Sequence, residues 1–428
     1  MPSFPPRLST PEDRPRLLVV GDGVVPTGFS RVLENLLRPL VSAFEIHHLA
    51  VQYQGDPHHL PWKVYPARVE GGPLCGARLC ELLHHCRPSA LFLLGAPEVL
   101  GPYLDHLEGT DRPRTILYCA IDSAPVDPSR ILALGRADLL LVFTETARQI
   151  VLSAFDEASI DPPEVQILAH GVDPSTFFPY PDDPTAEWVE GRLLAKHSLF
   201  PQVNDLATSF VVLNNHRNTL RKRIDLTMDG FARFARGKPP NVRLYLHMNP
   251  TAGEGGWDVI RLAEHFGVAE RLILSGSGPE HPSVSDAQMN LIYNACDVGL
   301  NTSHGEGWGL PAFEHGAARG AQVMTAHPVA RELWGEAAEL VEPALEVTEP
   351  ILDVAACLVD PRGVAAALER LYEDRQYLAQ RQADAYRRAT EGRWAWPLLS
   401  EHLRRFLQPE IPTGLLASNP TPVEVTHV

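Results

Sequence analysis

The sequence contains little lysine, few cysteines and no long apolar run. Lysine occupies only four of the 428 positions, residues 63, 196, 222 and 238, so arginine carries nearly all of the positive charge. No polybasic run is present that would hold the chain on an anionic membrane. The longest apolar runs, such as residues 139–143, are far too short to span a bilayer, and residues 1–15 lack the apolar core of a signal peptide. We therefore expect a cytoplasmic protein with no transmembrane segment.

The six cysteines are too few and too scattered for a disulfide scaffold, which agrees with a reducing compartment. Cys75, Cys80, His84, His85 and Cys86 fall within twelve residues and raise the alternative of a metal site. Their spacing contains no Cys-x-x-Cys pair, and the segment fits an amphipathic helix that leads into an apolar strand. We predict no metal site and no resident cofactor.

Acidic residues outnumber basic residues by 53 to 37, and the formal net charge is -16. The resulting field repels polyanions, which disfavours nucleic acid as a partner. Hydrophobic residues make up 44% of the chain and charged residues 21%, the proportions of an ordinary globular protein. A chain of this length exceeds what one core usually organises, so we predict two domains of roughly 200 residues each.

Short apolar runs alternate with amphipathic stretches through both halves of the chain. The strands expected in the first half are residues 16–20, 45–51, 90–94, 115–119, 139–143 and 165–169. Those expected in the second half are residues 209–213, 242–247, 271–274, 298–301 and 322–325. Apolar strands separated by helices are typical of a parallel sheet covered on both faces. The sequence therefore predicts an α/β fold of two Rossmann-like, doubly wound domains.

The predicted boundary between the domains falls within residues 174–201, which are rich in Pro, Asp and Phe and show weak periodicity. The predicted units are an N-terminal domain (1–180), a linker (181–205), a C-terminal domain (206–393), a helix that packs back on the N-terminal domain (about 394–408) and a disordered tail (409–428). Ligands of doubly wound sheets bind beyond the carboxyl ends of the strands. Two such edges that face each other predict a central cleft.

The most informative segment follows an apolar strand and leads into a helix: Ser303-His-Gly-Glu-Gly-Trp-Gly-Leu-Pro-Ala-Phe-Glu-His-Gly-Ala-Ala-Arg-Gly320. Gly307 and Gly309 allow a ligand to approach the backbone closely, and Pro311 suits the first helical position. The free amides around Gly309, Leu310 and Ala312 would then face an anion at the helix N-terminus.

Glu306 precedes this helix and Glu314 follows eight residues later, so both carboxylates can face one cleft. A carboxylate accepts hydrogen bonds from two adjacent hydroxyls, which suits a ribose for Glu314 and a sugar ring for Glu306. The simpler alternative is a capping acid plus a solvated glutamate. The surrounding glycines favour the ligand-binding interpretation.

This segment resembles the Glu-(seven residues)-Glu motif of the retaining family 4 glycosyltransferases, which have the GT-B fold. A second stretch, Leu213-Asn-Asn-His-Arg-Asn-Thr-Leu-Arg-Lys222, resembles the family segment in which an Arg and a Lys hold the donor diphosphate. The resemblance implies those roles for Arg217 and Lys222, whereas Arg221 and Arg223 are expected to be solvated. Two fixed cations in a dry cleft would stabilise the departing diphosphate without a metal ion.

Three further stretches resemble the same family. Gly28 in the turn 21–31 could lie against the donor phosphates, although such a turn can be purely structural. His170-Gly-Val-Asp173 is favoured as a structural turn at the edge between the domains. Gly276 in residues 275–279 would lie near the nucleotide base, and UDP, GDP and ADP sugars all stay open. The donor-binding residues that the resemblance implies are Gly28, Gly276, Gly307, Trp308, Gly309, Leu310 and Glu314.

Asp122 marks a departure from the family pattern. Many members carry a His after an N-terminal-domain strand, where this chain has Leu117-Tyr-Cys-Ala-Ile-Asp122. The Asp122 side chain could bind a sugar hydroxyl or orient the acceptor, or it could cap the next helix. The catalytic residues that the resemblance implies, with Asp122 in the place of the histidine, are Arg217, Lys222, Glu306 and Asp122.

The resemblance implies a glycosyltransferase that moves a hexose-type sugar from a nucleotide-diphosphate sugar to an acceptor hydroxyl with retention of configuration. The acceptor stays open: a glycan, a lipid-linked molecule or a small molecule. The alternatives are a catalytically silent nucleotide-sugar-binding protein, a nucleotide-sugar epimerase and a DNA-base glucosyltransferase. The acidic net charge disfavours the last of these.

Overall fold

The computed structural model describes residues 14–67, 76–108, 112–180, 188–201, 206–252, 255–276, 282–349 and 353–408. Two large parallel sheets organise the chain, and a two-stranded antiparallel sheet accompanies them. This arrangement confirms the predicted pair of Rossmann-like domains. The predicted tail at 409–428 lies outside the described residues.

The first domain contains a seven-stranded parallel sheet in the order β3-β2-β1-β4-β5-β6-β7. Its strands are β1 (Arg16–Asp22), β2 (Glu45–Val51), β3 (Lys63–Pro66), β4 (Ala90–Gly95), β5 (Arg114–Cys119), β6 (Leu139–Val142) and β7 (Val165–Ile167). Its helices are α1 (Gly28–Leu37), α2 (Gly76–Cys86), α3 (Pro97–Asp105), α4 (Ser129–Leu132) and α5 (Glu145–Glu157). Strands β4 and β6 are buried along their whole length, because helices cover both faces of the sheet. Strand β3 was not predicted, since this short edge strand carries a lysine and a proline.

The second domain contains a six-stranded parallel sheet in the order β10-β9-β8-β11-β12-β13. Its strands are β8 (Phe210–Asn214), β9 (Val242–Leu246), β10 (Leu272–Leu274), β11 (Val298–Asn301), β12 (Ala321–Thr325) and β13 (Glu339–Val341). The helices of this half are α6 (Trp188–Leu199), α7 (Ile224–Ala235), α8 (Val259–His265), α9 (Asp286–Ala295), α10 (Leu310–Ala317), α11 (Pro328–Trp334), α12 (Pro361–Glu373), α13 (Arg375–Ala389) and α14 (Trp396–Leu407). In both sheets the strand order reverses beside the first strand, which opens a crevice at the carboxyl edge.

Two segments join the domains. Helix α6, within the predicted linker, is anchored to the second domain because the Lys196 ammonium donates to the Asp297 carboxylate at 2.8 Å. Helix α14 returns to the first domain, where the Ser400 hydroxyl donates to the Leu36 carbonyl on α1 at 2.7 Å. The weak periodicity of residues 174–201 did not predict helix α6.

An antiparallel hairpin, β14 (Pro343–Glu349) and β15 (Val354–Val359), extends from the second domain to the first. The Val126 amide donates to the Asp353 carbonyl at 2.8 Å, and the Ala355 amide donates to the Ala124 carbonyl at 3.0 Å. The hairpin therefore pairs with the loop that follows β5. The sequence analysis predicted no strand after residue 325, so this contact between the domains is a new feature.

Candidate functional site

A cavity of about 580 Å³, here the main cavity, lies where the crevices of the two sheets meet. Its walls are the turn after β1, helix α1, the start of α9 and the start of α10. Three of the predicted donor-binding residues line it, namely Gly28, Leu310 and Glu314. A Cβ atom added to Gly28 would lie 3.6 Å from Leu310 Cδ1, so the two turns face each other across the cavity.

Helix α10 begins at a glycine in a left-handed conformation. Gly309 is the N-cap with φ +91°, Leu310 is the first helical residue and Pro311 the second. A side chain at Gly309 would be strained at this φ, which explains the glycine. The Ala312 amide donates to the Gly309 carbonyl at 3.1 Å, so it is not one of the free amides that the sequence analysis expected.

Glu314 is buried in a hydrogen-bond network that crosses the main cavity. Its Oε2 accepts from the Tyr293 hydroxyl at 2.7 Å, and that hydroxyl accepts from Asn215 Nδ2 at 2.8 Å. Its Oε1 lies 3.4 Å from Nε of Arg31 on α1, and Arg31 Nη2 lies 2.5 Å from Asp286 Oδ1. Burial raises the pKa of Glu314, although the Arg31 charge and the Tyr293 hydrogen bond oppose the shift. Sequence reasoning did not identify Arg31, because its partners come from the other domain.

Glu306 lies in a second network, here the Glu306 cluster, made of Glu306, Lys222, Arg221 and Asp122. Lys222 Nζ donates to Glu306 Oε1, which also accepts from the Ser303 hydroxyl at 2.7 Å and from Asn301 Nδ2 at 3.4 Å. Burial alone would raise the pKa of Glu306, but the charges of Lys222 and Arg221 outweigh it and hold that pKa well below its ordinary value. The carboxylate is therefore ionised and held between two cations.

Arg221 joins the two domains within this cluster. Its Nη1 lies 3.1 Å from Asp122 Oδ2 and 3.2 Å from Glu306 Oε2, and donates to the Gly305 carbonyl at 2.6 Å. The expectation that Arg221 is solvated is therefore wrong, because three acceptors surround its guanidinium. Arg223 is half-buried and pairs with the carboxylate of Asp225. The Asp122 carboxylate is thus engaged with the second domain.

The segment that follows β8 links the hydrogen-bond network of Glu314 to the Glu306 cluster. Asn215 lines the main cavity, while the next residue, His216, places Nδ1 3.9 Å from Glu306 Oε1. Burial lowers the pKa of His216 to about 3, so its imidazole is neutral. The Arg217 side chain is exposed. Burial raises the pKa of Asp22, and the hydrogen bond from Thr27 and the positive charge of Arg217 oppose this shift. The charge of Arg217 therefore acts on the carboxylate at the end of β1.

The other predicted donor-binding residues do not belong to the described lining of the main cavity: Gly276, Gly307, Trp308 and Gly309. A Cβ at Gly307 would lie 2.8 Å from Asp122 Oδ1, so this glycine permits the close approach of the two domains. Trp308 is buried, with its ring centroid 5.2 Å from that of Trp394 and 5.5 Å from that of His170. Gly276 follows β10, and a Cβ added there would lie 3.2 Å from Pro282, which does line the cavity.

The turn His170-Gly-Val-Asp173 packs on the segment that leads into α14. The Val172 amide donates to the Trp394 carbonyl at 3.1 Å, and a Cβ at Gly171 would lie 2.6 Å from the same oxygen. Burial lowers the pKa of His170 to about 3, and neither of its ring nitrogens has a hydrogen-bond partner among the described residues. The turn therefore holds the domains together through packing.

No group of three or more His, Cys, Asp or Glu side chains in the described part of the chain could hold a metal ion. In the cysteine and histidine stretch, Cys86 is buried with Sγ 3.2 Å from His47 Nδ1, and Cys75 lies outside the described residues. None of the described helices is long and apolar enough to span a membrane.

Neither a protein-family model nor a curated protein matches the chain. Among solved structures, the chain is similar to HepE of Anabaena in complex with UDP and glucose, with 16% identity and a TM-score of 0.65 over 92% of this chain and 100% of that chain. It is similar to the sucrose-phosphate synthase of Thermosynechococcus elongatus, with 14% identity and a TM-score of 0.69 over 92% and 98%. It is also similar to the α,α-trehalose 6-phosphate synthase of Burkholderia multivorans, with 15% identity and a TM-score of 0.65 over 92% and 97%. The likeness establishes the fold as GT-B.

Proposed function

We propose that the protein is a glycosyltransferase that transfers a hexose-type sugar from a nucleotide-diphosphate sugar to an acceptor hydroxyl with retention of configuration. The observation that carries the proposal is the placement of two glutamates by one loop and helix. Glu314 lies in the main cavity opposite Gly28, and Glu306 lies between Lys222 and Arg221. The similarity to HepE, which binds UDP and glucose, supports a nucleotide sugar as the donor.

The donor would occupy the main cavity. Its volume of about 580 Å³ falls within the usual size of small-molecule sites. Glu314 would accept hydrogen bonds from the ribose hydroxyls, and Tyr293 fixes the orientation of its carboxylate. The turn at Gly28 and the amides of Gly309 and Leu310 at the start of α10 would lie against the phosphates, because a helix N-terminus attracts negative charge.

The proposed reaction is a same-face transfer. The acceptor oxygen forms a bond to the anomeric carbon as the bond from that carbon to the diphosphate oxygen breaks, and the departing phosphate takes the acceptor proton. Arg217 and Lys222 would stabilise the negative charge on the leaving group, so the proposal includes no resident metal ion. Glu306 would position Lys222 and bind a sugar hydroxyl instead of forming a covalent intermediate. Asp122 would orient the acceptor or bind a hydroxyl of the sugar.

Thermal stabilisation tests the donor. The melting temperature would be measured with UDP-, GDP-, ADP- and dTDP-glucose for wild type and for the site variants Glu314→Ala and Lys222→Ala. Lys63→Ala is the control, because Lys63 is exposed and pairs only with Glu45 among the described residues. A ligand at 100 times its Kd stabilises the folded state by about 2.7 kcal/mol. We expect donors of one nucleotide class to raise the Tm of wild type and of Lys63→Ala. The same donors should leave the Tm of Glu314→Ala and of Lys222→Ala unchanged. No shift with any donor would contradict the proposal.

Product analysis then tests the reaction. A transferase releases a nucleoside diphosphate when an acceptor is present, an epimerase changes the sugar of the intact donor, and a silent binding protein does neither. Proton NMR of the product reports the anomeric configuration, and inversion would contradict the proposed mechanism. Full activity after treatment with EDTA is expected, because the proposed charge stabilisation uses only side chains and backbone amides.

A further inference from the structure

We propose that a second cavity, closed by the β14–β15 hairpin, binds the acceptor, and that this acceptor is a hydroxyl compound with an uncharged and largely apolar body. The inference rests on the proposed function, because only a transferase needs an acceptor. The cavity, here the hairpin cavity, has a volume of about 490 Å³ and lies beside Asp122.

Both domains build the hairpin cavity. Its walls are the loop 122–128, one face of α5, the start of α11 and the strands of the hairpin. The backbone hydrogen bonds of Val126 with Asp353 and of Ala355 with Ala124 hold the hairpin on the loop. A third bond, from the Cys357 amide to the His304 carbonyl at 3.0 Å, ties the hairpin to the segment that carries Glu306. The cavity thus exists only while the hairpin bridges the domains.

The charge of the lining favours an uncharged ligand. Asp122, Glu157 and Glu346 are the charged side chains among the described lining residues, and all three are acidic. Burial lowers the pKa of His304 and of His327 to about 4, so neither imidazole supplies a positive charge at neutral pH. A phosphate or carboxylate would lose its hydration here without gaining a cation.

The apolar part of the lining suits a hydrophobic body. It includes Pro125, Val126, Ile150, Val329, Ala355 and Ala356. Removing the apolar surface of these side chains and of the ligand from water together favours an apolar ligand. Sugar rings without an apolar substituent would gain less from these walls than a molecule with an alkyl or aryl group.

The hairpin cavity opens next to the proposed reaction centre. Asp122 lines it, and the same carboxylate lies 3.1 Å from Arg221, which contacts Glu306. His304 also lines it, and its buried Nε2 has no hydrogen-bond partner among the described residues. A ligand with its apolar body in the cavity would therefore place a hydroxyl at the polar end, beside the Glu306 cluster.

A third cavity of about 480 Å³ suggests the opposite chemistry. It shares Asp122, Ser123, Pro125 and His304 with the hairpin cavity, but its lining also includes Arg130 and Arg221, together with Glu98. An anionic acceptor would suit it better. Because Arg221 already contacts Asp122 and Glu306, we favour the hairpin cavity, and a phosphorylated acceptor becomes an outcome of the test.

Calorimetric titration of the full chain tests the inference. The probes are n-octyl β-glucoside below its micelle concentration, glucose 6-phosphate, and UDP or whichever nucleotide stabilises the protein. Ala355→Trp fills the hairpin cavity from an exposed position of β15. Leu345→Trp is the matched control, because Leu345 is 57% exposed on the same hairpin and is not among the described lining residues. We expect octyl glucoside to bind wild type and Leu345→Trp, and to bind Ala355→Trp at least tenfold more weakly.

Three results would overturn the inference: binding of glucose 6-phosphate in place of octyl glucoside, equal binding of octyl glucoside to both tryptophan variants, or binding of neither probe. The nucleotide titration separates this failure from that of the proposed function. If wild type, Ala355→Trp and Leu345→Trp all bind the nucleotide but one of the three results above is found, only the proposed acceptor class is wrong and the donor proposal still stands. A folded wild type that binds no nucleotide removes the transferase and the acceptor together.

Discussion

Glu306 and Glu314 lie eight residues apart on one loop and helix, yet their surroundings differ in charge. Glu306 contacts the Lys222 ammonium and the Arg221 guanidinium, and it accepts hydrogen bonds from Ser303 and Asn301. Glu314 accepts one hydrogen bond from a tyrosine and lies 3.4 Å from a single arginine. Burial penalises the charge of both carboxylates, but only the cations around Glu306 outweigh that penalty, so its pKa falls while that of Glu314 rises.

This difference makes Glu306 a fixed negative charge and leaves Glu314 as a group that can form hydrogen bonds with a ligand. Glu306 already pairs with neighbouring side chains, so removing it leaves the buried Lys222 ammonium without its partner, while Arg221 keeps its contact with Asp122. Glu314 faces an open cavity, and a ligand hydroxyl can supply the hydrogen bonds that its carboxylate lacks. We therefore expect Glu306 to contribute most to stability and Glu314 to contribute most to nucleotide binding.

The largest expected effect follows the replacement Glu306→Gln. Breaking a buried ion pair from one side typically costs about 3–5 kcal/mol, because the remaining charge stays buried without compensation. Urea unfolding would measure this loss in the free energy of unfolding. The double variant Glu306→Gln/Lys222→Met should recover at least half of it, since the unpaired ammonium is removed. A loss below about 1 kcal/mol, the value of an exposed pair, would contradict the described burial of Glu306.

The next largest effect is on ligand affinity. Glu314→Gln should weaken nucleotide binding about 10- to 100-fold, because hydrogen bonds to a charged group contribute about 1.5–3 kcal/mol. The free energy of unfolding should change by less than about 1 kcal/mol, since the Tyr293 hydroxyl can donate to the amide oxygen instead. Isothermal titration with the stabilising nucleotide measures the affinity, and Glu373→Gln, at an exposed end of α12, is the matched control. Equal loss in both variants would exclude a specific role for Glu314.

The sequence predicted the parts of the site that depend on local pattern. The parallel strands and the loop and helix with its two glutamates follow from apolar periodicity and glycine spacing, which are visible in a short window. Gly28 was named on the family resemblance; it lines the main cavity, and its role in donor binding stays a prediction. The role of Arg221 was missed because the direction of its side chain is set by the short helical turn at 220–222 and by Arg223 in a left-handed conformation with φ 49°. Neither feature leaves a signal in the residue pattern.

Contacts between the domains were the least predictable part. Arg31 meets Glu314 and Asp286 only because the two domains close on each other. The β14–β15 hairpin gains its edge partner from the loop at Ala124 in the other domain. None of the residues of β14 is buried, so this strand has no core-facing apolar pattern. Strand β15 is apolar throughout but was not predicted. Such features depend on tertiary packing and not on local propensity.

A smaller effect should separate the two glutamates by pH. Because the folded pKa of Glu306 lies below its ordinary value of 4.5, its stabilisation is complete above that pH and is lost as the pH falls towards the folded pKa. The folded pKa of Glu314 lies above 4.5, so its contribution is complete below that pH and is lost as the pH rises through the folded pKa.

Urea unfolding from about pH 4 to 7 checks this contrast. The proteins compared are wild type, Glu306→Gln/Lys222→Met and Glu314→Gln. Subtracting each variant from wild type removes the contribution of the buried histidines that lie away from both glutamates, whereas the contribution of His216, 3.9 Å from Glu306, stays in the Glu306 difference curve. The two difference curves should slope in opposite directions with pH. Curves of the same sign would mean that the two carboxylates share one kind of environment.

The smallest effect concerns Arg31, the single cation near Glu314. Arg31→Met should weaken nucleotide binding by up to about fivefold, in line with the 0.2–1 kcal/mol of a partly exposed ion pair. Without the guanidinium the pKa of Glu314 rises further, so less of the carboxylate is ionised to accept the ribose hydroxyls. Titrations over a series of pH values should show a deficit that grows as the pH falls, and Arg31→Lys should restore most of the affinity because it keeps the charge. Tighter nucleotide binding by Arg31→Met would instead mean that Arg31 competes with the ribose for Glu314. Glu306 and Glu314 would then both be paired with side-chain cations before the donor binds.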